Sequence, residues 1–118
     1  NGYPVIALNT DSSTLTAISN DYGFEMVFAK QVDSICESGD LLIGITTSGN
    51  SKNIINAFSL AKTKSVSTIA LTGNKGGEIK KFADLSVIVP SSRTCRIQEC
   101  HIFILHFICE LLDQKLNL

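Results

Sequence analysis

Within six residues, Thr46-Thr47-Ser48-Gly49-Asn50-Ser51 gathers four side-chain hydroxyls and a glycine, directly ahead of a run with helical period. Hydroxyls donate to anions, and a glycine lets the backbone approach a ligand closely. The unpaired amides and positive dipole end of a helix start favour negative charge. The group that suits such a bend is small and anionic, a phosphoester above all. Neither the Lys of a nucleotide P-loop nor a GxGxxG accompanies it, which argues against a mononucleotide or dinucleotide. The same residues also suit an ordinary strand–turn–helix connection with Ser51 as the helix cap.

A second set of candidates lies in the last third of the chain. Gln98 and His106 share one long helical pattern, roughly 80° apart on the helical wheel, so they could share a ligand only with donors from elsewhere. His101 and His106 are about 140° apart and cannot chelate in the manner of HExxH. Glu99, Glu110 and Asp113 lie on the polar stripe of His106, and Glu110 at i+4 offers a structural pair as the alternative. Asp21, in Asn20-Asp21-Tyr22-Gly23, suits an Asx-turn, and Lys75, Lys80 and Lys81 suit a solvated face. Cys36, Cys95, Cys100 and Cys109 show no CxxC spacing and no activating base. They are expected to fill the core of a protein in a reducing compartment, without disulfide, zinc-knuckle or nucleophilic duty.

Short β-rich runs alternating with helical segments must position these residues. Pro4–Leu8 reads as a strand and Asn9–Ser13 as a helix start. The helix that follows breaks near Asn20–Gly23 and resumes to about Cys36. Leu41–Ile45 is an apolar run expected of a strand covered on both faces. A helix with Ile54, Ile55, Phe58 and Ala61 on one side comes next, then strand Val66–Leu71, a loop to Gly77 and a short helix Glu78–Ala83. Strand Leu85–Val89, stopped by Pro90, precedes one helix from about Thr94 to Lys115. The order β-α-β-α-β-α-β-α predicts a parallel sheet with right-handed crossovers and helices on both faces. Ile104, Leu105, Phe107, Ile108, Leu111 and Leu112 fill a wide arc of the last helix, so burial on more than one side is expected, by a further segment or another subunit.

Composition bounds the rest. At 118 residues the chain is one domain by length. Its 44% hydrophobic and 18% charged content, with mean hydropathy +0.22, excludes disorder. A formal charge of −1 leaves no electrostatic footprint for nucleic acid or an anionic membrane. The longest apolar stretch, Ile102–Leu112, is interrupted by His106 and Glu110 and falls short of the ~20 residues of a membrane span. With no signal peptide evident, a cytoplasmic location is expected.

Three segments, in order, carry a family resemblance: Asn20-Asp21-Tyr22-Gly23-Phe24, Gly44-Ile-Thr-Thr-Ser-Gly-Asn-Ser51 and Arg96-Ile-Gln-Glu-Cys-His101. They resemble the sugar isomerase (SIS) domain, and within it the phosphoheptose isomerases, which interconvert sedoheptulose 7-phosphate and D-glycero-D-manno-heptose 7-phosphate. The resemblance covers essentially the whole chain. Chains of that family begin earlier, with a helix, a strand with a Gly-Gly-Ser loop and a helix bearing a His and a Glu, so residues 1–118 read as a partial SIS domain. The implied fold is a three-layer α/β/α sandwich with a parallel sheet, flavodoxin-like or Rossmann-like, truncated at the N-terminus.

The resemblance also implies roles. Thr46, Thr47, Ser48 and Ser51 would hold the substrate phosphate, and Asn20 and Asp21 would contact the sugar chain. Gln98 and His106 would join the catalytic machinery and a zinc site, Gln98 also touching substrate, while the remaining ligands and the principal base would come from the preceding segment. Two positions depart from the family pattern. Thr46 stands where Ser is frequent and keeps the hydroxyl; Cys95 stands where Asp is frequent and removes a carboxylate. A cytoplasmic homotetramer serving ADP-heptose and lipopolysaccharide core synthesis is implied, with this piece alone inactive. The alternative is a non-catalytic SIS-type protein that binds a sugar phosphate or associates with the bacterial replication initiator.

Overall fold

A computed structural model describes residues 2–116. Three parallel strands form the sheet: β1 (Leu41–Thr46), β2 (Ser67–Gly73) and β3 (Leu85–Val89), in the order β1-β2-β3. Helices α1 (Ser12–Tyr22) and α2 (Val27–Ile35), separated by a 3-10 turn at Phe24–Met26, precede β1. Helix α3 (Lys52–Thr63) crosses from β1 to β2, a 3-10 turn at Glu78–Lys81 leads toward β3, and α4 (Thr94–Leu116) closes the chain. The parallel sheet and the alternation from β1 onward are present, with three strands instead of the four expected. The short helix at Glu78–Ala83 is a single 3-10 turn.

Local chemistry explains the boundaries. Asp11 caps α1 by accepting from the Ser13 amide at 3.0 Å, the service expected of an N-cap carboxylate. Gly23, at φ +88°, ends it by donating to Ser19 O. The Asn20–Gly23 break is therefore real, but Asp21 lies in the last turn of α1 and accepts from Asn20 Nδ2 at 2.9 Å instead of forming an Asx-turn. Across the sheet, Asp84 accepts from the Thr68 amide at 2.8 Å and the Thr68 hydroxyl at 3.0 Å, while Thr68 Oγ1 accepts the Asp84 amide at 2.9 Å. These bonds pin the start of β3 to β2. They also hold the Asp84 carboxyl below its usual pKa, the Thr68 backbone amide being the leading cause.

Two cores form on one face of the sheet. Phe58 of α3 meets Ala70 of β2 and Ile79, all fully buried. Val32 of α2 packs with Ala57, Ala61 and Val66, flanked by Leu8 and Leu42. Gly44, paired in register with Ala70, has to be glycine for this layer to close, since a Cβ there would lie 2.5 Å from the Phe58 ring. Helix α4 covers the opposite face, because Gly73 is an odd number of residues from Ala70 and therefore points the other way. Ile97 of α4 fills the space where a Gly73 side chain would sit, 2.4 Å from the would-be Cβ. The layers are thus α2/α3, sheet, α4.

Three expectations fail. Pro4–Leu8 is not a strand: Val5 and Ile6 are 87% and 63% exposed. The Leu8 carbonyl accepts from the Gln31 side chain at 2.9 Å, not from a neighbouring strand. Strand β1 is not covered on both faces. Leu41, Ile43 and Ile45 remain exposed on the side away from α3, because α4 packs over β2 and β3. The cysteines do not fill the core either: Cys95, Cys100 and Cys109 are exposed on α4 and Cys36 is half-buried. Burial of α4 is confined to Ile97 and His101, and Ile102, Phe103, Phe107, Leu111 and Leu112 stand exposed.

Candidate functional site

The hydroxyl-rich bend sits at the carboxyl end of β1 and runs into the N-terminus of α3, the place where open α/β sheets hold ligands. Its shape comes from its own bonds. Thr46, only 4% exposed, accepts the Gly49 amide on Oγ1 at 3.2 Å and pairs with Ser51 Oγ at 2.9 Å. Ser48 Oγ accepts the Asn50 amide at 3.1 Å. Ser51 occupies the N-cap position of α3, yet its hydroxyl makes no capping bond to the helix. The plain strand–turn–helix reading, in which Ser51 satisfies the helix start, therefore does not account for its side chain.

This arrangement leaves donors over. Among the described residues, the amides of Ser48, Ser51, Lys52 and Asn53 donate to no protein group. Helix starts carry such orphan amides, and their dipole favours an anion. The Thr47 and Ser48 hydroxyls also donate to no described residue. If Thr46 donates within its pair with Ser51, the Ser51 proton is free as well. Thr46 builds the bend, while Thr47, Ser48 and Ser51 carry hydroxyls a ligand can use.

The bend is held from behind by a second loop, to which sequence reasoning gave no role. Gly76 and Gly77, both at positive φ, lie against it so closely that a Gly49 Cβ would fall 2.0 Å from Gly76 O. A Gly77 Cβ would fall 2.5 Å from Ser48 O. Ile79 N donates to Gly49 O and Glu78 N to Asn50 Oδ1, each at 2.9 Å, and Asn74 Nδ2 reaches Thr47 O at 3.4 Å. The adjacent glycines of Gly73-Asn-Lys-Gly-Gly77 were the available signal; nothing local said which loop they would meet.

The remaining candidates are placed less closely. Asn20 and Asp21 are exposed at the end of α1, which packs on α2 and the Phe24–Met26 turn. That turn in turn lies against α3, where Asn56 Nδ2 donates to Glu25 O at 3.0 Å. Gln98 and His106 are exposed on α4. Neither makes a side-chain hydrogen bond to a described residue, so the alternative pairing of His106 with Glu110 does not form. Among the described residues the ion pairs are Lys81–Glu78 and Arg96–Glu99, both exposed. His101 is the buried histidine of the helix, 2% exposed, with Nε2 3.0 Å from Thr72 O.

A zinc ion does not fit the described residues alone. They contain no group of three or more His, Cys, Asp or Glu able to hold a metal. Gln98 and His106 could offer two donors at most, fewer than a structural or catalytic zinc takes from its protein. No described helix is long and apolar enough to cross a membrane.

Comparison with known proteins agrees with this layout. The SIS domain family profile matches residues 14–104. A phosphoheptose isomerase of Sulfurimonas denitrificans is 54% identical over 113 residues, and one of Aquifex aeolicus is 52% identical over 111. Those alignments take in 96% and 94% of this chain and 58% of each relative, so the chain spans somewhat over half the length of the relatives it matches. The structure of phosphoheptose isomerase GmhA from Neisseria gonorrhoeae superimposes with TM-score 0.91 at 49% identity, over 92% of this chain and 61% of that one. A phosphoheptose isomerase from Francisella tularensis gives TM-score 0.92 at 43% identity, over 94% and 60%. With a parallel sheet, a hydroxyl-lined bend at its carboxyl edge and a profile match across most of its length, the chain belongs to the SIS domain family.

Proposed function

We propose that the protein carrying this chain isomerises sedoheptulose 7-phosphate to D-glycero-D-manno-heptose 7-phosphate. The observation that carries the reading is the set of unpartnered amides at Ser48, Ser51, Lys52 and Asn53, beside the Thr47 and Ser48 hydroxyls. The relatives named phosphoheptose isomerase, at 52–54% identity, support the choice of substrate.

Aldose–ketose isomerisation moves a proton between adjacent carbons through an enediol. It needs a base, an electrophile for the developing oxyanion, and an anchor remote from the reacting carbons. In this proposal the bend is the anchor: it binds the phosphate equally in ground and transition states and offsets the cost of orienting an extended chain. Asn20 and Asp21 contact the sugar hydroxyls. His106 shuttles a proton at its ring nitrogen, and the Gln98 amide orients the substrate oxygens. The principal base is a carboxylate outside the described residues. Zinc enters only as a group to which Gln98 and His106 could lend donors, and no step here depends on it.

The proposal extends to a cytoplasmic homotetramer feeding ADP-heptose and lipopolysaccharide core synthesis. The exposed apolar residues of α4 and the bare face of β1 are surfaces that such an assembly would cover. The alternative of a binding protein without turnover rests on Cys95, an exposed thiol at a position where the family resemblance implies a frequent Asp. Turnover of sedoheptulose 7-phosphate by the complete gene product, with and without added zinc, separates the two. Isomerisation that is abolished in folded Gln98→Ala and His106→Ala proteins supports the enzyme. Wild-type rates in both variants refute the assigned roles, and binding without any turnover supports the alternative.

A further inference from the structure

The second loop and the buried histidine belong to one connected system. His101 reaches from α4 to Thr72, the penultimate residue of β2. Because a carbonyl oxygen only accepts, the ring nitrogen Nε2 must be the donor, which leaves the neutral ring's lone pair on Nδ1. Nδ1 is buried and has no hydrogen-bond partner among the described residues. An apolar side chain would fill the same space without an unpaired nitrogen, and burying such an atom costs free energy. Space-filling alone therefore does not explain a histidine here; the bond to Thr72 does.

From Thr72 the connections run outward. Its hydroxyl donates to Gly76 O at 3.3 Å, fixing the loop Gly73–Gly77 across its own neck. Gly76 and Gly77 lie directly on Gly49 and Ser48, and Ile79 N and Glu78 N tie the far side of that loop to Gly49 and Asn50. Ile97, one turn before His101, sits on Gly73 at the loop's entry. Helix α4 thus grips the carboxyl end of β2 at two adjacent points.

We propose that His101 is a positioning residue: through Thr72 and the Gly73–Gly77 loop, it holds the Thr46–Ser51 bend in its anion-binding shape and fixes that bend relative to α4. This rests on the proposed sugar-phosphate reading only for its kinetic consequence. His101 does not touch the substrate. Its contribution falls on the remote anchor, so its loss weakens phosphate binding more than the chemical step.

The test uses the complete gene product with His101→Leu, which keeps volume and removes the donor, and His101→Gln, whose amide can replace Nε2–H. Amide hydrogen exchange is read at Glu78 and Ile79, which bridge the loops, against Ala70 in the body of β2. Kinetics on sedoheptulose 7-phosphate and affinity for inorganic phosphate are measured alongside. In the Leu variant the expected result is about tenfold faster exchange at Glu78 and Ile79 with Ala70 unchanged. KM and the phosphate dissociation constant should rise about tenfold while kcat stays within about threefold, and Gln should restore all of these. Unchanged exchange and KM overturn the proposal, as does equal acceleration at Ala70 or failure of Gln to restore. If the Leu variant does not fold, His101→Asn, whose amide is too short to reach Thr72, is read by the same criteria. Absence of turnover in the wild type would remove the isomerase reading, and the exchange rates would still decide the role of His101.

Discussion

The carboxyl end of the sheet and the exposed length of α4 are built on opposite terms. At the first, polar groups are mostly paired within the chain, glycines interlock two loops, and unpaired donors remain at the start of α3. At the second, Ile102, Phe103, Phe107, Leu111 and Leu112 are exposed with nothing described over them, and Gln98 and His106 stand among exposed neighbours. Large apolar patches of that kind mark surfaces that something covers. The difference indicates that anion binding is organised by this chain itself, whereas the reacting end of the proposed site depends on what covers α4 and β1.

The largest expected effect comes from breaking the organised end. Gly49→Val puts a β-branched side chain at φ +71°, with its Cβ 2.0 Å from Gly76 O. The two loops must part. Stability should fall by ~3 kcal/mol, and phosphate affinity by about a hundredfold. Urea denaturation and phosphate titration measure the two quantities. A well-folded variant with normal affinity would show that the interlock is incidental.

A smaller effect, confined to the other region, is expected from Phe107→Glu. If a second subunit covers α4, a charge at that position weakens self-association by about tenfold, roughly 1.4 kcal/mol. Sedimentation equilibrium reads the association. Phosphate affinity per site should stay within about twofold, since the bend is held by its own chain. A parallel collapse of affinity would erase the contrast between the regions.

The smallest effect is electrostatic. The Asp84 carboxyl is held below its ordinary value of 3.8 by the Thr68 amide and hydroxyl. Its folded pKa is depressed, so its contribution to stability is present above that value and lost as pH falls through the lower, folded one. Asp84→Asn should therefore narrow the gap to wild type on acidification below pH 3.8, while costing stability at neutral pH. Thermal melts at neutral and acid pH check this. A gap that stays constant over that range would show that the carboxylate's charge is not what pins β3.

The pattern of what the sequence revealed follows the range of the interactions involved. The bend, the break after α1 and the length of α4 are local: a hydroxyl cluster ahead of helical period, a glycine at positive φ, and an unbroken helical run. Each was legible from neighbours in the chain. Pro4–Leu8 misled because apolar β-branched residues describe a strand only when another strand lies beside them, and the Leu8 carbonyl instead meets the Gln31 side chain. Leu41–Ile45 misled for a related reason, since an apolar run does not report which helix stops short of it. Cys95, Cys100 and Cys109 are exposed because α4 buries little beyond Ile97 and His101. In the site, the bracing glycines Gly76 and Gly77 were visible as glycines, but their meeting with Gly49 is a contact between loops after two different strands.

The central claim is most directly tested by titrating the complete gene product with sedoheptulose 7-phosphate while following backbone amide shifts. Saturable perturbations are expected at Ser48, Ser51, Lys52 and Asn53, competed away by inorganic phosphate. Binding that leaves those four amides unmoved, with the largest changes elsewhere on the surface, would contradict it.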